Sequence, residues 1–285
     1  MPARTGCDRL DTPENPVDQL PARGAMRVLI LSASPLASQS VTFHLAERLA
    51  GSLFPQAERE VIHLHEVNLP ACDGQLDVIK EGENLTGAMS GLGAVYSAMR
   101  RADVVVFASP VHNFTVSALL KNFIDLMVFE SHRPSFIGKP AVLVATAMGA
   151  GQDRLFAYLR DVVHSWGFRV VGCLGAAASM LDEPWYEARL QGAIGQLAGR
   201  VATRIADQRP RVGLRDVVAF NIWRLVVEIN RENTPIDHEY WSRRGWLSAH
   251  YYYPCRTWPP ARWIARLIAT AVRHQIIGRK LKPVT

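Results

Sequence analysis

Between residues 26 and 207, short apolar runs alternate with stretches of helical periodicity. Met26–Ser32 is nearly continuous in apolar side chains, as expected of a strand buried on both faces. Val41, Leu45, Leu49 and Leu53 then repeat every fourth residue, which predicts a helix. Glu60–Val67 predicts a second strand and Leu85–Arg100 a second helix. Val104-Val105-Val106-Phe107, within Asp103–Ser109, makes the clearest strand of the chain. Val116, Leu120, Phe123, Ile124 and Met127 mark the next helix. Pro140–Thr146 is a fourth strand with Arg154–Trp166 as its helix, and Arg169–Leu174 a fifth, closed by Trp185–Asp207. Five β–α units with right-handed crossovers predict an α/β fold: an open, doubly wound, five-stranded parallel sheet of order 2-1-3-4-5.

After residue 208 the pattern changes. Residues 209–285 hold 14 Lys and Arg against 5 Asp and Glu, a local charge of +9, while residues 1–208 sum to −3. Nine of the 14 Trp and Tyr also fall in this last part. Pro210 interrupts the helical pattern there, so a boundary is expected near Ala206–Val212. The expected organisation is a leader (1–25), an α/β body (26–208) and a basic, aromatic, helical extension (209–285). The leader carries four prolines and no apolar core, and reads as disordered rather than as a signal peptide. No apolar run approaches the roughly 18 residues of a membrane span. Cys7, Cys72, Cys173 and Cys255 are widely spaced and form no CxxC pair, which fits reduced thiols in a cytoplasmic protein.

In a parallel sheet of this order the loops after the first, third and fourth strands emerge together at the carboxyl edge, where ligands bind. The first loop runs through Ser34-Pro35 to Ser40, the second is Pro110-Val111-His112-Asn113-Phe114, and the third is Thr146-Ala147-Met148-Gly149-Ala150-Gly151. A helix beginning near Gln39 presents free amides and the positive end of its dipole. The hydroxyls of Ser34, Ser38 and Ser40 and the Gln39 amide complete a phosphate cage without any cation. The alternative is that Ser38 simply caps the helix. Glycines 149 and 151 let backbone approach a ligand, or form a plain strand-to-helix turn. Lys121 and Asp125, one turn apart, read as a structural pair.

Three ordered segments carry a family resemblance: Ala33-Ser34-Pro35-Leu36-Ala37-Ser38-Gln39-Ser40; Ala102-Asp103 with Ser109-Pro110-Val111-His112-Asn113 and Leu120-Lys121-Asn122-Phe123-Ile124-Asp125; and Gly138-Lys139-Pro140 with Thr146-Ala147-Met148-Gly149-Ala150-Gly151. The body resembles the flavodoxin-like NADPH-dependent FMN reductases over roughly residues 26–205. The resemblance implies a flavodoxin-like sheet, FMN as cofactor, and NADPH or NADH as electron donor. It implies cofactor contacts from Ser34, Ser38, Gln39, Ser40, Pro110, Val111, His112, Asn113, Phe114, Thr146, Ala147, Met148 and Gly149. His112 stands where the family usually has Tyr, and is the candidate catalytic residue: it stacks, bonds the ring or donates a proton to a reduced acceptor, or is a half-exposed loop histidine. An Arg usual in the family is replaced by Leu36. Of the Cys cluster that binds iron–sulfur in some relatives only Cys72 is kept, in Pro70-Ala71-Cys72, so no iron–sulfur centre and no other metal is expected.

The expected activity is transfer of electrons from the nicotinamide through FMN to a quinone, a flavin or a similar small acceptor. The alternatives are a flavodoxin-type electron carrier that docks a protein or membrane partner, and a non-catalytic interaction protein on the same fold. A homodimer is expected. In the extension, Trp263, Ile264, Leu267, Ile268, Ala271, Val272 and Ile276 share one helix face, with Arg262, Arg266, Arg273 and His274 on the other. This pattern fits peripheral contact of 209–285 with the inner membrane surface, or packing on the body or on a second subunit. Tyr240–Tyr253 is a candidate cover over the cofactor. No nucleic-acid motif accompanies the charge, so nucleic acid is not an expected partner.

Overall fold

The computed structural model describes residues 25–74 and 90–280. Residues 1–24 of the expected leader and 85–89 of the expected second helix lie outside these. Five strands, β1 (Arg27–Ser32), β2 (Glu58–His63), β3 (Val104–Pro110), β4 (Pro140–Ala147) and β5 (Arg169–Ala177), form one parallel sheet of order β2-β1-β3-β4-β5. The α/β class and the strand order are those the apolar pattern predicts.

Alternation along the strands fills two cores, because successive side chains point to opposite faces. Leu29, Leu31, Val105, Phe107 and Leu143 face α2 (Ser90–Arg101), α3 (Ala118–Leu126) and α5 (Gln152–Ser165). A short helix, α4 (Phe129–His132), lies between α3 and β4. Val28, Ile30, Val104, Val106, Val142 and Val144 face α1 (Val41–Leu53) and α6 (Pro184–Ala206). With both faces covered, the central strands are apolar along their length and turn polar toward their carboxyl ends, at Ser32, Ser109 and Thr146.

Two boundaries differ from the sequence pattern in ways that matter. β2 ends at His63 rather than Val67. Its last partner is Ser32 at the end of β1, and as an edge strand it has nothing further to pair with, so residues 64–66 turn instead. α1 begins at Val41 rather than near Gln39, because Ala37–Gln39 forms a 3-10 turn first.

The extension comprises α7 (Leu214–Ile229), α8 (Pro235–Arg243), α9 (Pro259–Lys280) and a two-stranded pair, β6 (Arg211–Val212) with β7 (Arg256–Thr257). Its core is aromatic: Phe220, Trp241, Trp246 and Tyr252 pack ring against ring. It docks on residues 129–138, where Trp241 Nε1 donates to the His132 carbonyl and Tyr240 Oη to that of Pro134, both at 2.7 Å. Asp237, fully buried, accepts from His132 Nδ1 at 2.9 Å and pairs with Arg133. Residues 129–138 lead into the amino end of β4. Tyr240–Tyr253 therefore packs at the edge of the sheet opposite the three loops and does not cover them, which corrects that expectation.

Candidate active site

The chain turns sharply after β1. Ala37 N–H donates to the Ser34 carbonyl (3.2 Å) and Ser40 N–H to that of Ala37 (3.1 Å), with Ala37 itself at φ +44°. Ser40 is the cap of α1: its hydroxyl accepts from Phe43 N–H at 3.3 Å. Capping by Ser38 is thereby corrected, since one residue at the junction has the extended backbone a cap needs, and it is Ser40. Ser34 is buried and its Oγ accepts from Leu36 N–H at 3.3 Å, while Ser38 and Gln39 are exposed beside the helix end. The amides of Val41 and Thr42, in the first turn, have no partner within the helix. The Ser32 hydroxyl beneath this turn is buried and makes no hydrogen bond among the described residues.

The second loop is a tight hairpin. His112 and Thr115 exchange both backbone hydrogen bonds at 3.0 Å, leaving Asn113 (φ +48°) and Phe114 (φ +63°) at its tip. Positive φ at both central residues is the geometry of a type I′ turn, in which Asn is favoured at the first position and Gly at the second. Phe114 is a bulky residue in that second place, a strained choice of order 1–3 kcal/mol. The third loop holds it there. Gly151 (φ +112°) lies so close that a β-carbon on it would stand 2.9 Å from Val111 Cγ1 and 3.4 Å from Phe114 Cδ1. The Arg154 guanidinium lies 5.1 Å from the Phe114 ring centre. Gly149, by contrast, meets nothing within 4 Å, so of the two glycines only Gly151 is required by packing.

Hydroxyl contacts lock the loops together. Ser117 caps α3; its N–H donates to Ser109 Oγ (3.1 Å) and its hydroxyl donates to the Ala33 carbonyl at 2.6 Å. Thr42 Oγ1 and Thr146 Oγ1 meet at 2.5 Å, joining α1 to the end of β4. Val111 N–H donates to the Thr146 carbonyl at 2.8 Å, and Ser179 Oγ to that of Met148 at 2.5 Å. Thr146 and Ala147 are thus buried scaffold, whereas Met148 and Gly149 are exposed. Pro110 and Val111 are half-buried, and the rings of His112 and Phe114 are exposed. One large exposed apolar side chain stands on each loop: Leu36, Phe114 and Met148. Thr146 is among the expected site residues; its partner Thr42 and the exposed Leu36 are not. A threonine in the first turn of a helix carries no sequence signal for a partner 104 residues away.

The donors along the α1 end are amides and hydroxyls, with no cation among them. That set fits a phosphate monoester, which a helix N-terminus holds through its N–H groups and dipole. The remaining edge, with its exposed backbone and three apolar side chains, fits a flat aromatic ring. A cavity of about 690 Å³ elsewhere, against β5 and α6, does not belong to this site. Three of its lining arginines hold neighbouring chain: Arg169 donates to the Asp207 and Ile205 carbonyls, Arg204 donates to that of Val171, and Arg256 pairs with Asp207.

Residues 26–180, which contain all three loops, match the family of the NADPH-dependent FMN reductases. The chain belongs to that family. Among curated relatives of this NADPH-dependent FMN reductase family member, an FMN-dependent NADH:quinone oxidoreductase of Vibrio vulnificus is 27% identical over 194 residues, covering 62% of this chain and 99% of that protein. An iron–sulfur flavoprotein of Archaeoglobus fulgidus is 28% identical over 116 residues, covering 40% of this chain and about half (52%) of its own length. Among solved structures, an FMN-dependent NADH-azoreductase from Bacillus anthracis, in complex with FMN, aligns with a TM-score of 0.49 at 16% identity, over 62% of this chain and 99% of that one. The family is one of flavin-dependent NAD(P)H oxidoreductases. Cys72, the one cysteine retained from the iron–sulfur pattern, is half-buried with its amide bonded to Asn122 Oδ1 at 2.8 Å. Among the described residues no three His, Cys, Asp or Glu side chains come together as metal ligands, and no helix is long and apolar enough to cross a membrane.

Proposed function

We propose that the protein binds FMN at the carboxyl edge of β1, β3 and β4, oxidises NADPH or NADH, and reduces a quinone or a similar small acceptor. The observation that carries this reading is the coincidence of the family match with three interlocked loops whose first offers unused helix amides and no cation. The Vibrio vulnificus relative, a quinone oxidoreductase by description, supports the choice of acceptor.

In this reading the Val41 and Thr42 amides, with Ser38 and Gln39, hold the phosphate, while Ser34 and Ser40 shape the turn that presents them. The backbone of Pro110–Phe114 and of residues 146–149 lines the ring. FMN, when bound, supplies the hydride and electron chemistry. The chain supplies orientation and exclusion of water: Gly151 fixes the strained hairpin, and Leu36, Phe114 and Met148 form an apolar rim. His112 is the one titratable side chain on the three loops, and in this reading it gives a proton to the acceptor as it is reduced.

Anaerobic addition of NADPH, then NADH, to the FMN-loaded protein tests this by loss of the yellow flavin absorbance, followed by its return on adding a quinone. Bleaching and quinone-driven recovery are expected. A bound flavin that stays oxidised with both nicotinamides would replace this reading with that of an electron carrier.

A further inference from the structure

α9 divides into three strips. Ala261 and Ala265 are buried, and with half-buried Val272 they turn the helix toward the body of the extension, where it packs along α7. Their small side chains let the two helices approach closely. Two residues further round, about 200° on a helix of 3.6 residues per turn, the picture inverts. Trp263 is 71% exposed and Leu267 70%, and they lie on the side facing away from α7. Trp258, just before the helix, is also exposed. The third strip, on one flank between these two, carries Arg262, Arg266 and Arg273, all exposed. α9 has no Asp or Glu in its 22 residues.

The expected alternative, that this helix buries its apolar residues on the body, therefore holds for its alanines and fails for its largest side chains. An exposed Trp and Leu in successive turns, beside a row of arginines and no acid, need a partner that is apolar in depth and negative at its surface. A second copy of α9 would match the apolar strip but supply no acid to the arginine row.

We propose that α9 is a docking surface for an anionic lipid bilayer. Trp263 and Leu267 enter the boundary between headgroups and acyl chains, and Arg262, Arg266 and Arg273 bind lipid phosphates. The helix lies in the plane of the surface, and the extension, at the amino edge of the sheet, leaves the three loops at the opposite edge uncovered.

Flotation of the full chain with vesicles tests this, using phosphatidylcholine with and without phosphatidylglycerol. The wild-type protein is expected to float with the anionic vesicles and at least tenfold less with the neutral ones, and to be released as salt rises. Trp263→Ser with Leu267→Ser is expected to abolish flotation while the melting temperature and FMN affinity stay unchanged, since both side chains are solvent-exposed. Arg266→Gln with Arg273→Gln is expected to weaken flotation and flatten its salt dependence. Failure of the wild-type protein to float at low salt overturns the proposal, as does flotation that survives the double serine change. A dimer in solution that the double serine change dissociates, without vesicle binding, assigns the face to a second copy and likewise overturns it.

Discussion

Thr42 Oγ1 and Thr146 Oγ1 meet at 2.5 Å in the interior, so the first turn of α1 and the end of β4 share a single hydroxyl contact. Changing either threonine alone to Val leaves the other hydroxyl buried without a partner, at about 1–3 kcal/mol. Changing both removes the polar pair altogether. Denaturant unfolding of Thr42→Val, Thr146→Val and the double variant is expected to show each single change destabilising, with the double change costing clearly less than their total. Simple additivity would mean that the two hydroxyls do not act as a pair.

Gly151 and Gly149 stand two residues apart with opposite constraints. Ala at 151 meets both a left-handed backbone and Val111 at 2.9 Å. The backbone part alone costs about 1 kcal/mol. The hairpin tip must shift, and FMN affinity is expected to fall at least tenfold for Gly151→Ala. Gly149→Ala meets no protein atom within 4 Å and is expected to leave stability within about 0.5 kcal/mol of the wild type, whereas Gly151→Ala destabilises. A Gly151→Ala protein that keeps full stability and full FMN affinity would remove the hairpin from the site.

Among the acid-centred contacts that join the extension to the body, two are open to test by a single change. In the first, Asp237 serves both His132 and Arg133 from a fully buried position. Asp237→Asn removes the charge and leaves the Arg133 cation facing a neutral amide, with an expected loss of about 3–5 kcal/mol. Equilibrium unfolding followed by tryptophan fluorescence reads it, since five of the seven tryptophans lie in the extension. A variant as stable as the wild type would show that this contact does not hold the extension in place.

The second contact gives a pH dependence. Burial pushes the Asp216 carboxyl up, but the bond from His164 at 3.1 Å, the Gly213 amide and nearby Arg215 outweigh it and hold the group below the usual carboxylate value. A carboxyl lowered in the folded state contributes stability that is fully present above its unfolded value, near 4, and is lost as pH falls through the lower folded value. Stability is therefore expected to decline below about pH 4, with a smaller decline in Asp216→Asn. Identical acid profiles for the two proteins would contradict this.

Much of the architecture is legible in the apolar pattern because the sheet is parallel and covered on both sides. Val104–Phe107 carries the clearest strand signal, and the crossover rule fixes the hand of each β–α unit, while the order 2-1-3-4-5 is one of the doubly wound orders that rule permits. The end of β2 is not legible, because it depends on where β1 stops. The cap of α1 is missed by one serine, since Ser38 and Ser40 differ only in backbone angles that the 3-10 turn sets. The loops themselves are read from their motifs, but what locks them is not: Thr42 and Thr146, or Ser117 and Ala33, become neighbours only once the sheet is formed. In α9 the sequence pattern groups Trp263 with Ile264 and Val272 on one face, whereas packing takes Val272 with Ala261 and Ala265 and leaves Trp263 outside.

The central claim is that the first turn of α1 holds a phosphate and the adjoining loops a flavin ring. Titrating the apoprotein with FMN and, separately, with riboflavin, following flavin fluorescence, separates the two parts. FMN is expected to bind at least tenfold more tightly than riboflavin, with riboflavin still measurable. Equal affinities would contradict the phosphate site at α1, and no binding of either would contradict the account as a whole.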